Sequence, residues 1–288
     1  VGKRAEPVPA KAARDYLRDL VVGKTPAWCW RALVSDSYSA GLMGPSVMME
    51  LHQFRHSAFC LKVRMVLQAK GLSYRTVDVT PGIGQVAVFR MSGQRQVPVL
   101  VDGDVVLADS SAIARHLEQR EPSPLLIPKD ARQAAQVQII EDWADTTLAS
   151  AGRSALVQAA AIDPSLRVAL LPDDLPDPVR TVMGAIPGGW VGSVTELVNQ
   201  NDRADLLTSL EQLSASVQQS PWLVGEAMSM ADLSVAAQLS LLNFPSSAGA
   251  ALAGKGVPGL SDHPKLQALF HWRDQLELKL MERTLEEV

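Results

Sequence analysis

The stretch from Gln96 to Leu117 constrains this chain more than any other. It reads as strand, tight turn, strand and helix start. Val97-Pro98 opens the first strand, a position where proline is tolerated because no ladder donor is needed. Asp102-Gly103, set between two apolar runs, is a hairpin signal. Asp109-Ser110-Ser111 then falls where a new helix exposes unpaired N–H groups, a place suited to a carboxylate. A free strand edge beside such a helix start can hold a small peptide by its main chain and its terminal carboxylate. Upstream, Val47–Phe54 is a strand candidate, Ser57–Arg64 opens a helix that Gly71 ends, and Tyr74–Val79 returns as a strand. Strand–helix–strand implies a parallel pair with a crossover, to which the later hairpin adds two antiparallel strands.

The bulk numbers bound the alternatives. The chain has 288 residues, 47% of them hydrophobic and 20% charged, enough for one large or two ordinary domains with a real core. A net charge of −4 gives no basic footprint for nucleic acid. No apolar run is long enough to span a bilayer. Two cysteines, Cys29 and Cys60, are too few for a disulfide framework and suit a reducing compartment, read as the cytoplasm. The chain starts with Val, which leaves room for an upstream targeting segment.

Residues 1–46 form an extension, with helical spacing over Ala10–Val22 and an aromatic cluster at Trp28, Trp30 and Leu33. The arm either packs on the chain's own C-terminal half or docks a partner. Residues 47–121 form the strand-containing domain, the Pro-rich Glu121–Asp130 segment is a linker, and residues 131–288 read as helical. Val137, Ile140, Ala144 and Leu148 keep helical spacing, as do Leu206, Leu210, Leu213 and Val217. A Pro/Gly-rich insertion near 163–189 interrupts them. Ser229-Met230-Ala231-Asp232 is a capping-box pattern opening a buried helix, Ala231–Leu242.

Val97-Pro98, Asp109-Ser110, the capping box and His263-Pro264-Lys265-Leu266 with Trp272-Arg273 together resemble the glutathione S-transferases over roughly residues 48–285. The resemblance implies an α/β plus all-α architecture: a thioredoxin-like βαβαββα domain followed by a helical-bundle domain, here with an N-terminal helical extension. It implies glutathione as co-substrate, a small apolar electrophile, a homodimer, and a place for each site residue. Val97 offers its main chain to the cysteinyl part, like a rung of an added strand. Pro98 follows a cis bond. Ser110 and its N–H hold the γ-glutamyl carboxylate, Asp109 lies near the ammonium, and Gln96 stands near the glycyl end.

Glutathione transfer needs a thiolate, which a hydroxyl at the start of the first helix favours by donating to sulfur. Ser57 stands there; it also suits a plain helix cap. Ala58 departs from the paired serines of maleylacetoacetate isomerases, which argues against that chemistry. Cys60, three residues on, reads as a partly buried helix residue or as the thiol of a glutathione-dependent reductase. His52 and His56 sit on a strand and a loop, without metal-ligand spacing. Pocket walls are expected from Val137–Leu148 and the region of Trp190. The alternative to a transferase is a non-catalytic binding or scaffold protein of the same fold, docking a protein partner through residues 1–46.

Overall fold

The computed structural model describes residues 48–80, 83–171 and 200–286, all within one compact unit, Val47–Val288. The extension 1–46, with its expected helix and tryptophans, lies outside the described residues, as do Trp190 and most of the 163–189 insertion.

The first strand, β1, runs Met49–Gln53, shorter at both ends than the apolar run alone predicts. Helix α1 (Ala58–Ala69) follows, and Gly71, at φ 62°, takes the left-handed turn that ends it. Strand β2 (Tyr74–Asp78) lies parallel to β1. Helix α2 (Ile83–Ser92) leads to the hairpin of β3 (Val99–Asp102) and β4 (Val105–Ala108), turned by Gly103 (φ 60°) and Asp104. The ladder of β3 begins one residue past Pro98, so the proline costs it no bond. The strand order is β2-β1-β3-β4, with β3 antiparallel to both neighbours. Helix α3 (Ser110–Arg120) completes the βαβαββα order.

Alternation along the strands splits the core in two. Met49, Leu51 and Leu100 face the large cluster that also holds Val63, Val66 and Leu67 of α1 and Ile113 and Leu117 of α3. Val99 points the other way, onto Val79 and onto Val88 of α2. The expected linker is followed by α4 (Ala131–Trp143), capped by Asp130, which accepts the Gln133 amide at 2.9 Å. A π-helical turn at Ala144–Leu148 joins it to α5 (Ala149–Ile162). The short α6 (Pro164–Ala169) precedes the undescribed segment, after which come α7 (Gln200–Gln219), α8 (Met230–Leu239) and α9 (Gln267–Glu286). The fold is thus thioredoxin-like, followed by helices.

Every residue of α8 is buried. Its start is set by Asp232, whose carboxylate accepts from the amides of Leu223 and Ser229 and from the Ser229 hydroxyl, each at 2.8 Å. The helix ends three residues before Leu242 because the chain tightens there: Ser240, Leu241 and Leu242 each bond three residues back.

Candidate functional site

The sheet register decides which sequence-predicted residues meet. His52 pairs with Val99, and Val99 with Ala108. The segment leaving β1 toward Ser57, the segment entering β3 through Gln96, Val97 and Pro98, and the segment leaving β4 into Asp109 and Ser110 therefore share one end of the sheet. Phe54, Val97 and Ala108 pack onto the same small cluster, which draws the three segments together. The Val97–Pro98 peptide is cis.

Ser57 is the N-cap of α1: its oxygen accepts from the Cys60 amide at 3.4 Å. That bond uses a lone pair and leaves the hydroxyl proton to be donated. Asp109 caps α3, accepting the Ala112 amide at 2.9 Å, while its carbonyl takes the Ile113 amide. The first two amides of α3, of Ser110 and Ser111, have no acceptor among the described residues. Asp109 adopts φ 84° and ψ 123°, a backbone conformation costing a non-glycine residue on the order of 1–3 kcal/mol. The Ser110 side chain beside it is buried, and Gln96 is exposed.

A cavity of about 310 Å³ opens at Ser57. Its walls are not those expected from the sequence: none of Val137–Leu148 lines it, and the buried members of that stretch face the core instead. Gln53, Arg55, His56, Arg64, Thr76 and Asp78 form one side, and the segment from Ser240 to Ala248, with Phe244 and Pro245, the other. Of the glutathione-site candidates only Ser57 touches it. The Gln53 amide ties two of its charges together, accepting from Arg64 at 2.5 Å and donating to Asp78 at 3.0 Å.

Cys60 is fully buried, and burial pushes its thiol above the usual cysteine value although the Ser57 hydroxyl beside it works in the other direction. A buried thiol held protonated is a poor nucleophile. It packs as a helix residue.

Sequence reading missed a buried charge cluster behind the site. The Lys62 ammonium, wholly buried in α1, reaches Glu141 at 2.7 Å, Asp145 at 2.6 Å and the Ser111 hydroxyl at 3.0 Å. Ser111 in turn donates to Glu141 at 2.7 Å. The signal was present: Lys62 stands four residues from Ala58 and from Val66 on an apolar stripe, and Glu141 four from Val137 on another.

Comparison with known proteins agrees with this fold. Residues 51–125 match the family model of the glutathione S-transferase N-terminal domain. Glutathione S-transferase 1 of Dianthus caryophyllus is 39% identical over 90 residues, 30% of this chain and 41% of that protein. A stringent starvation protein A homolog of Pasteurella multocida is 31% identical over 101 residues, 33% of this chain and 48% of its own. The chain thus matches less than half the length of these relatives. A crystal structure of a glutathione S-transferase from Rhodospirillum rubrum F11 superposes with a TM-score of 0.56 at 26% identity, covering 80% of this chain and 88% of that one. A thioredoxin-like sheet, a cis-proline at its edge and a helical second half make up the described scaffold. Over residues 51–125 in sequence, and in fold, the chain is similar to the glutathione S-transferases.

Proposed function

We propose that this protein transfers glutathione to a small electrophile, with glutathione held along Val97 and the start of α3. The carrying observation is the convergence, at one end of the sheet, of Ser57, the Val97–Pro98 edge and the two unclaimed amides of Ser110 and Ser111. In this reading Val97 meets the cysteinyl main chain and Gln96 the glycyl end. Ser110 and the α3 amides take the γ-glutamyl carboxylate, and Asp109 takes the ammonium. The positive end of α3 favours the anion, and the strained backbone of Asp109 aims those amides outward.

The thiol sulfur then lies near Ser57. A free thiol, with a pKa of about 8.5, is only a few per cent ionised at neutral pH. A hydrogen bond from the Ser57 hydroxyl and the N-terminal end of α1 each favour the thiolate, and one pKa unit corresponds to about 1.4 kcal/mol. The thiolate attacks an electrophilic carbon, a C–S bond forms, the leaving group departs with its electron pair, and the thiol proton passes to solvent. The dimer and a cytoplasmic setting belong to this same proposal, as do the domain limits 47–121 and 131–288.

The test is calorimetry of the intact chain with reduced glutathione, alongside a thiol-transfer assay. Wild type should bind and turn over. Asp109→Ala combined with Ser110→Ala should lose binding; unchanged affinity in that variant would refute the carboxylate site.

A second reading, a binding protein of the same fold docking a partner through residues 1–46, draws on one comparison: a relative whose name is not that of a transferase matches over a similar length, at 31% identity against 39%. Glutathione binding without turnover, together with a stoichiometric partner lost on deleting residues 1–46, would favour it.

A further inference from the structure

We propose that the cavity at Ser57 is a second-substrate site built for a small molecule bearing a carboxylate, with Arg64 as the group that recognises it. This rests on glutathione being the thiol substrate, and it departs from the apolar electrophile that the family resemblance implies.

The cavity adjoins Ser57 and none of the other glutathione-site candidates, so its volume is free when glutathione occupies the Val97 edge. Anything bound there abuts the position of the sulfur. Apart from Leu61, Phe244, Pro245 and Ala248, every wall residue carries a polar or charged side chain. That lining desolvates an apolar guest poorly and offers hydrogen bonds to a polar one.

The Arg64 guanidinium and the Asp78 carboxylate both line the cavity. Asp78 already accepts from Gln53. Arg64 is half-buried and spends donors on two neutral oxygens, Gln53 Oε1 at 2.5 Å and the Arg55 carbonyl at 3.2 Å. It forms no ion pair with a carboxylate among the described residues. Glu277, the next acid behind it, is engaged by the Ser247 hydroxyl. A guanidinium has five donors in a planar fork matched to a carboxylate, and one that no carboxylate contacts directly can pair with an anion that enters. Gln53 and the Arg55 carbonyl fix that fork in place before a ligand arrives.

The experiment uses a matched, unreactive pair, 3-nitrobenzoate and 3-nitrobenzamide, titrated calorimetrically into the intact chain in the presence of reduced glutathione. The acid should bind at least tenfold more tightly than the amide. Arg64→Met should bring the two within twofold of each other while leaving the heat of glutathione binding unchanged. Should Arg64→Met fold poorly, Thr76→Trp serves instead: it places a strand-compatible side chain in the cavity mouth and should block the acid while sparing glutathione. Equal binding of acid and amide, binding of neither, or discrimination that survives both substitutions overturns the carboxylate site. A failed glutathione titration is read separately, because it removes the transferase reading itself.

Discussion

The Ser57 oxygen accepts the Cys60 amide, so replacing the side chain removes a helix cap along with a hydroxyl. Ser57→Ala should therefore cost about 1 kcal/mol of unfolding free energy, read by urea denaturation. If its hydroxyl also donates to the glutathione sulfur, the bound thiol's pKa should rise by about one unit, slowing transfer at neutral pH about tenfold. The two rate profiles should converge at higher pH, where the thiol ionises unaided. Ser57→Asp separates the roles. A carboxylate can still accept the Cys60 amide, so stability should stay near wild type. It has no proton to give and repels a thiolate, so transfer should stay slow. Wild-type turnover by Ser57→Asp would take the hydroxyl out of the chemistry. Cys60→Ser should leave transfer unchanged, since the buried, protonated thiol has no access to substrate.

At the scale of elements, α1 ties the site to the helices behind it. The Lys62 ammonium is shared by Glu141 of α4, Asp145 of the π turn and Ser111 of α3, so the helix that starts at Ser57 and the helix that starts at Ser110 meet at one charge. Removing the cation strands the buried Glu141 carboxylate and the half-buried one of Asp145. Lys62→Met should cost about 3–5 kcal/mol in urea unfolding, and adding Glu141→Gln with Asp145→Asn should recover most of it. No recovery would mean that the node acts through packing rather than charge. This cluster also shows where sequence reading stops. The strands, the hairpin turn, the cap at Ser57, the helix start at Asp109-Ser110 and the box at Asp232 are local chemistry, legible because each signal and its effect lie within a few residues. Lys62 and Glu141 lie 79 positions apart, and nothing local says that two charged residues on apolar stripes face each other. The cavity walls were misplaced for the same reason: Arg64, Thr76 and Phe244 come together only through the crossover and the packing of α8 and α9 on α1.

For the whole molecule, the same long-range packing sets how stability depends on pH. Glu277 of α9 lies buried near Arg64 and Arg273, with Oε2 accepting from Ser247 at 2.5 Å and Oε1 without a partner among the described residues. Burial raises its carboxyl above the ordinary glutamate value, outweighing the Ser247 bond and both guanidiniums. Burial likewise raises Asp232, against its bonds from Leu223 and Ser229. Asp102 differs: burial works upward there too, but the bonds from Arg120 and His116 prevail and hold it low. Above the ordinary carboxyl range of about pH 4, the folded chain keeps protons on Glu277 and Asp232 that the unfolded chain has released. Folding therefore takes up protons in that window, and stability falls as pH rises through it until the raised values are passed. The Asp102 contribution runs the other way: it is intact above about pH 4 and is lost only as pH drops through its depressed value. Glu277→Gln keeps an oxygen for Ser247 and removes the buried charge. Its denaturation midpoint should exceed wild type at pH 8, the gap should narrow toward pH 5, and the slope left over should be that of Asp232. Parallel midpoint curves for the two proteins across that range would show that Glu277 carries its charge at no cost, with Arg64 and Arg273 compensating its burial in full.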